Sequence, residues 1–343
     1  MKPRLYHFDV LKGIAIFMVV MGHTLIVCMD GMRGCVPARL IAGIHMPIFF
    51  FISGWFTAKA DSDGRLITPD LKRRFSQLII PTFVTGSLYF FVLPSLGIGD
   101  NDGLTFSKFW LSASKMGYWF GICLFEIMLV YTLMLPLLRR LRGAVSTLAV
   151  SLGICVFLLA VSSVAKNVTE PLEVLETGCY LFPFMTGVVA SRHRDGFERL
   201  LKNNLVMTAA ILVLGACLWF QTNPVEMRYI VISRLISHVP LALLAVAIIQ
   251  PWCDGQYSRP QGPGTAVRIW TYLGRNSLGI YLLHYFFLFP LRQVEIWLAP
   301  MSAGFVPLTV TAMLCAVMIT ACVCSIIELL KPSQFLSRIL TGA

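Results

Sequence analysis

The sequence predicts an all-α integral membrane protein, a single bundle of about ten transmembrane helices with both termini in the cytoplasm. Three observations carry that expectation. Only 13% of the residues are charged and 57% are hydrophobic, whereas soluble domains carry about 25% charged residues. The hydrophobic residues gather into stretches of ~20, the length at which a helix crosses the hydrocarbon layer. The connecting segments then alternate between rich and poor in Lys and Arg, as cytoplasmic and outer loops do. Mean hydropathy is +0.76.

In chain order the expected spans are 10–28, 39–58, 76–98, 116–138, 146–164, 173–190, 203–221, 228–250, 268–291 and 303–328. One set of flanking segments holds Lys2, Arg4, Lys12, Lys59, Arg65, Lys72, Arg73, Arg74, Arg139, Arg140 and Arg142. It continues with Arg192, Arg194, Arg199, Lys202, Arg259, Arg268, Lys331 and Arg338. The other set has Arg33, Arg39, Lys108, Lys115, Lys166, Arg228 and Arg292, diluted by Asp30, Asp100, Asp102, Glu170 and Glu226. The richer set belongs in the cytoplasm, and an even number of spans brings both termini there. The first apolar segment carries Lys12 and His23 and lacks a small-residue cleavage site, so it is expected to stay as a helix. Connections are short, so one polytopic domain over 1–343 is expected, with no soluble domain appended.

The net charge of +11 follows from the same loop bias. No basic tract is interleaved with aromatics, so a nucleic-acid partner is not expected. The ten cysteines show no metal-ligand spacing and sit mostly in apolar runs as small hydrophobes. A Cys28–Cys35 disulfide across one short loop stays open.

Ionisable residues inside spans are costly and mark function by default. Helices that alternate in direction bring His23, His45, His284, Arg234 and His238 to one level near the outer side, with Glu126 closer to the midplane. Each has a plainer alternative: a hydrogen bond to a neighbouring helix for the histidines, snorkelling for Arg234. At the other end of the first helix, Asp9 lies ~20 Å from His23 by helix rise. Lys12 and His23 nonetheless share a face, within ~20° around the axis. Lys72, Arg73 and Arg74 add charge at that inner end and suit phosphates, Arg with bidentate geometry; plain topological anchoring is the competing explanation. Within the second span, Pro47 and Gly54 loosen the helix where protein surrounds it, beside the bulky run Phe49, Phe50 and Phe51; a kinked packing helix is the competing explanation.

The segments "FDVLKGIAIFMVVMGH" and "HMPIFFFISGW" together resemble the acyltransferase-3 superfamily of integral-membrane O-acyltransferases, most nearly its fucose 4-O-acetylase-like branch, which modifies surface polysaccharides. "KRRFSQLIIP", "YWFGICLFEIMLVY", "CYLFPFMTGVVAS" and "LGRNSLGIYLLH" follow in the family's order, over about residues 8–290. The resemblance implies transfer of an acyl group, usually acetyl from acetyl-CoA, to a sugar hydroxyl at or across the cytoplasmic (inner) membrane. It places the catalytic His at His23 and the preceding acidic and basic residues at Asp9 and Lys12. Family members usually carry two Arg four residues apart before the third-helix Pro. Here Arg73 or Arg74 supplies the first, and Gln77 or Leu78 stands at the second.

A sugar hydroxyl is a weak nucleophile, and a positioned imidazole makes its attack on a thioester feasible. His23 and His45 are the catalytic candidates. Lys12, Lys72, Arg73 and Arg74 are the acyl-CoA-binding candidates. Asp9, Glu126, Asn276, Tyr281, His284 and Arg234 form the supporting polar set, with His45, Asn276 and Tyr281 as oxyanion donors. No GxSxG elbow is present, which favours direct transfer over a serine acyl-enzyme; an acyl-His intermediate stays open. The expected partners are acyl-CoA as co-substrate, a glycan or lipid-linked sugar acceptor and membrane lipids, with no bound cofactor and no metal. The competing class is a transporter or flippase for a lipid-linked sugar or small solute, for which an internal repeat would be expected and none is seen.

Overall fold

The computed structural model describes residues 5–29, 32, 34–60, 66–95, 103–112, 115–141, 143–166, 170–223, 225–291, 293, 294, 296 and 306–342. Of the loop charges, Lys2, Arg4, Asp30, Arg33, Arg65, Asp100, Asp102, Arg142 and Arg292 lie outside them. The described chain is helical, with a single isolated β-bridge between Ala60 and Leu66. In hydrocarbon every backbone N–H and C=O must be satisfied within its own segment, so each apolar stretch becomes a helix.

The helices are α1 (Tyr6–His23), α2 (Val36–Thr57), α3 (Leu71–Ser95), the short α4 (Phe106–Leu111), α5 (Trp119–Arg140) and α6 (Ala144–Val164). There follow α7 (Val174–Arg192), the amphipathic α8 (Arg194–Leu201), α9 (Asn204–Thr222) and α10 (Met227–Tyr257). The last four are α11 (Thr265–Arg275), α12 (Ser277–Leu283), α13 (Val306–Leu330) and α14 (Gln334–Thr341). Among the described residues nine helices are long and apolar enough to cross a membrane, at the positions of nine of the ten expected spans.

The exception is the expected span 268–291. Its first half is α11, a half-exposed helix. Its second half is the short apolar piece Ser277–Phe287, about 16 Å long by helix rise. The break falls at Asn276, whose backbone leaves the helical region (φ −100°, ψ 13°). Packing causes it. A Cβ on Gly274 would stand 1.7 Å from the carbonyl oxygen of Asp9, and one on Gly13 would stand 2.0 Å from that of Trp270. Those two glycines let α11 press its backbone onto α1 at a point where a straight helix would have to pass by.

A second reciprocal contact joins α2 to α7. Cβ atoms on Gly54 and Gly187 would lie 1.8 Å from Phe184 O and 1.9 Å from Phe51 O respectively. Small residues permit this close approach between membrane helices. Gly54 therefore serves packing: α2 continues as a helix through both Pro47 and Gly54. In contrast α6 and α9 are mostly exposed and form the lipid-facing periphery of the bundle. Cys28 and Cys35 are free thiols.

The short α12 leaves room beside α3, and α14 fills it. Thr85 Oγ1 donates to the Leu340 carbonyl at 3.4 Å. Gly342, in the left-handed region at φ 71°, ends α14 against Gln77 and Leu278. Gly187→Ala should lower stability by ~1–3 kcal/mol, the usual cost of overpacking. Gly215→Ala, where a new Cβ meets nothing within 4 Å, should be neutral or stabilising by up to ~1 kcal/mol. Thermal unfolding of the two variants in detergent checks the contrast, and equal midpoints would remove the α2–α7 contact as a determinant.

Candidate active site

At its far end α1 passes without interruption into a π-helical turn, Thr24–Cys28. His23 sits at the junction. It meets the end of α12, which closes in a tight 3-10 turn, His284–Phe287. His284 and Tyr285, adjacent in this turn, both reach His23 of α1. The His23 and His284 rings are within 6° of parallel with centroids 5.1 Å apart, and the Tyr285 ring lies 5.0 Å from that of His23.

The hydrogen bonds fix a direction. His284 Nδ1 lies 3.1 Å from the Ile280 carbonyl and 2.7 Å from that of Tyr281. Carbonyls only accept, so His284 Nδ1 carries the proton, and in the neutral ring Nε2 is an acceptor. His23 Nδ1 is 2.8 Å from that Nε2, so it must donate. Neutral His23 is then the Nδ1–H tautomer with its lone pair on Nε2. That lone pair faces the Tyr285 hydroxyl at 3.2 Å. A ring held this way presents a base to any hydroxyl that reaches Nε2.

Two cavities lie among α1, α2 and α3. One of about 340 Å³ is lined by Lys59, Asp70, Arg73, Arg74 and Gln77, with Phe56 and Thr57 of α2. The other, about 130 Å³, is walled by Lys12, Ile16 and Val19 of α1, by Phe49 and Ser53 of α2, by Leu78, by Phe120 and by Tyr281. They adjoin in sequence at Gln77 and Leu78 on α3 and at Ser53 and Phe56 on α2. The inner cavity follows α1 from Lys12 to Val19, and His23 lies ~6 Å of helix rise beyond.

The structure therefore brings together some of the expected residues. Arg73 and Arg74 share the basic cavity with Lys59, which sequence reasoning had counted only as a loop charge. Lys72 is exposed and outside it. Lys12 reaches the inner cavity and pairs with Asp9 at 3.1 Å, while Arg275 approaches the same carboxylate at 3.7 Å. His284 joins His23.

His45 makes no hydrogen bond to them, its Nδ1 donating to its own helix, to Ile41 O at 2.5 Å, but it lies close enough to His23 to act on it electrostatically. Glu126 accepts from Thr177 at 2.9 Å, between α5 and α7. Arg234 is exposed, and buried His238 stacks beside Tyr180 at 6.2 Å. Asn276 bonds Tyr272 O and closes the helix break. The Tyr281 hydroxyl is committed, donating to Gly117 O and accepting from Phe120 N–H, although its ring walls the cavity. Phe49 lines the cavity too, whereas Phe50 and Phe51 pack on Tyr180 and Trp55. Among the described residues no group of three His, Cys, Asp or Glu side chains is placed to hold a metal.

Tyr285 was missed in the sequence, because a tyrosine among the apolar and aromatic residues of this segment carries no signal of its own. The tautomer assignment is directly measurable. In protein labelled with 15N-histidine, His23 should show a protonated Nδ1 and an unprotonated Nε2, with the Nδ1 resonance shifted in His284→Ala. A His23 protonated on Nε2 would reverse the chain.

Compared with known proteins, residues 5–327 match the model of a family described as an acyltransferase domain. No curated protein and no solved structure matches the chain. A match over nearly the whole length places the protein in the acyltransferase-3 family, and the helical bundle that holds His23 is that of a multi-pass membrane acyltransferase.

Proposed function

We propose that the protein transfers an acetyl group from acetyl-CoA to a sugar hydroxyl of a surface glycan or its precursor at the cytoplasmic membrane, as the fucose 4-O-acetylase-like branch does. The observation that carries this reading is a set of three features: a basic cavity between the end of α2 and the start of α3, an inner cavity along α1 walled largely by apolar side chains, and, further along α1, a histidine with its lone pair presented. A nucleotide-linked thioester has that order of parts, phosphates first, then a long flexible arm, then the acyl group.

In this reading both termini are cytoplasmic and the basic cavity opens to the cytosol. Arg73, Arg74 and Lys59 hold the phosphates through charge-assisted hydrogen bonds. Lys12, held by Asp9, stands where the arm enters. Lys72 contributes long-range attraction only. The acceptor hydroxyl takes the place of the Tyr285 hydroxyl on His23 Nε2. As its oxygen attacks the thioester carbonyl, Nε2 takes its proton, and His284 steadies the ring through Nδ1. The released Tyr285 hydroxyl donates to the developing oxyanion. Collapse breaks the C–S bond, and the thiolate recovers the proton from His23.

The test uses purified protein, radiolabelled acetyl-CoA and glycan isolated from cells lacking the protein. His23→Ala should lower transfer by roughly 10²–10⁴-fold, the contribution of a positioned acid–base group, while still binding CoA. His23→Gln should not restore it. Near-normal turnover in His23→Gln would exclude the imidazole as base. Replacing Arg73 and Arg74 together by Ala should weaken CoA binding by at least about tenfold, since charge-assisted contacts contribute ~1.5–3 kcal/mol each. Unchanged CoA affinity in that variant would confine both residues to topology.

A further inference from the structure

Directly over the His23 chain lies a turn that the mechanism above does not use. Lys115 and Met116 both adopt positive φ (41° and 47°) and Gly117 follows at 97°. Such a run is strained for side-chain-bearing residues and persists only where the surroundings over-determine it. What holds it is an ion pair. Lys115 bonds Glu173, and the two side chains are 1% and 0% exposed. Lys115 Nζ also donates to Ser112 O at 3.1 Å. Glu173 is itself left-handed (φ 44°) and sits at the start of α7, accepting from Thr177 N–H at 2.8 Å.

The far side of the turn rests on α12 and the residues after it. Gly117 O accepts from the Tyr281 hydroxyl. The Tyr118 hydroxyl donates to Leu282 O at 3.1 Å. A Cβ on Gly117 would lie 1.7 Å from the Tyr285 hydroxyl, so that residue has to be glycine for the hydroxyl to sit where it does. The backbone held at 281 and 282 is the one whose Tyr281 carbonyl fixes His284, and Tyr285 is the group on His23 Nε2.

We infer that Lys115, Glu173 and Gly117 are positioning residues for acyl transfer: the buried ion pair clamps the left-handed turn onto Tyr281, Leu282 and Tyr285, and so holds both partners of His23 in register. The inference rests on the proposed role of His23 and Tyr285. An ion pair that served stability alone would give effects independent of Tyr285. A clamp acting through Tyr285 gives effects that disappear once that hydroxyl is gone.

The experiment measures acetyl transfer from acetyl-CoA to the same isolated glycan in full-length Lys115→Met, Glu173→Gln and Gly117→Ala, each with and without Tyr285→Phe, and with His23→Ala alongside. Each single variant should lower apparent kcat about tenfold with the KM for acetyl-CoA little changed. Lys115→Met and Glu173→Gln should add less than about twofold in the Tyr285→Phe background, the non-additivity of residues acting through one contact; Gly117→Ala should keep its loss there, because its Cβ would still stand 2.2 Å from the ring at position 285. Equal losses of Lys115→Met and Glu173→Gln in both backgrounds, or unchanged kcat in Gly117→Ala and Glu173→Gln, would overturn the inference. If Lys115→Met fails to insert, Glu173→Gln decides the matter. Turnover surviving in His23→Ala would overturn the proposed function and the inference together. Loss in His23→Ala combined with additive losses in Lys115→Met and Glu173→Gln would overturn the inference alone.

Discussion

The structure depends most on the donation from His284 Nδ1 to the carbonyls of Ile280 and Tyr281. An imidazole buried in a membrane bundle has no water to satisfy it, and an unpaired polar group there is expensive. By giving its one proton to its own helix, His284 is left with a single lone pair, and that lone pair orders His23. The direction of the whole chain follows from one pair of carbonyls. A similar donation by His45 to Ile41 O leads to no hydrogen bond with a second histidine among those the structure shows.

His284 and Tyr285 stand where a helix ends, and both reach His23. The break at Asn276 and the 3-10 turn after Leu283 convert half a membrane helix into a short arm with these two side chains at its tip. Interrupted helices survive in membranes where protein re-satisfies the freed backbone groups. Here Asn276 bonds Tyr272 O, α14 packs into the vacated space, and the Leu291 N–H reaches Cys28 O at 2.7 Å, tying the segment back to the π-helical turn beyond His23.

Charge is kept apart from this centre. Asp9 compensates both Lys12 and Arg275, so cations stand at the entrance of the inner cavity without an uncompensated buried charge. On the opposite side the Lys115–Glu173 pair is fully enclosed. Removing one member of such a pair leaves a buried charge unpaired and is far costlier than never having had the pair. The pair thus fixes its turn firmly whatever its net contribution to stability. The glycine contacts act in the same sense: they set how closely α1 approaches α11 and α2 approaches α7.

Much of this was legible in the sequence. Apolar runs of membrane length fix helices regardless of neighbours, because lipid permits no other local solution, so nine of the spans could be read directly. The shared face of Lys12 and His23 follows from helical period alone, and the level of His284 follows from alternating direction. Periodicity could not show that the span 268–291 is broken: its hydropathy is continuous enough to cross, and the break comes from backbone contact with α1 through Gly13 and Gly274. Nor could it show Tyr285 beside His23, Lys59 with Arg73 and Arg74, or Lys115 with Glu173. Glu126 and His45 were placed by depth, but depth says nothing of azimuth or of a partner on the same helix. Sequence sets which residues lie at a given height in the membrane, since that is a matter of chain length and helix rise. Tertiary packing decides which of them touch, because helix rotation, helix breaks and tautomers are chosen by neighbours distant in the chain.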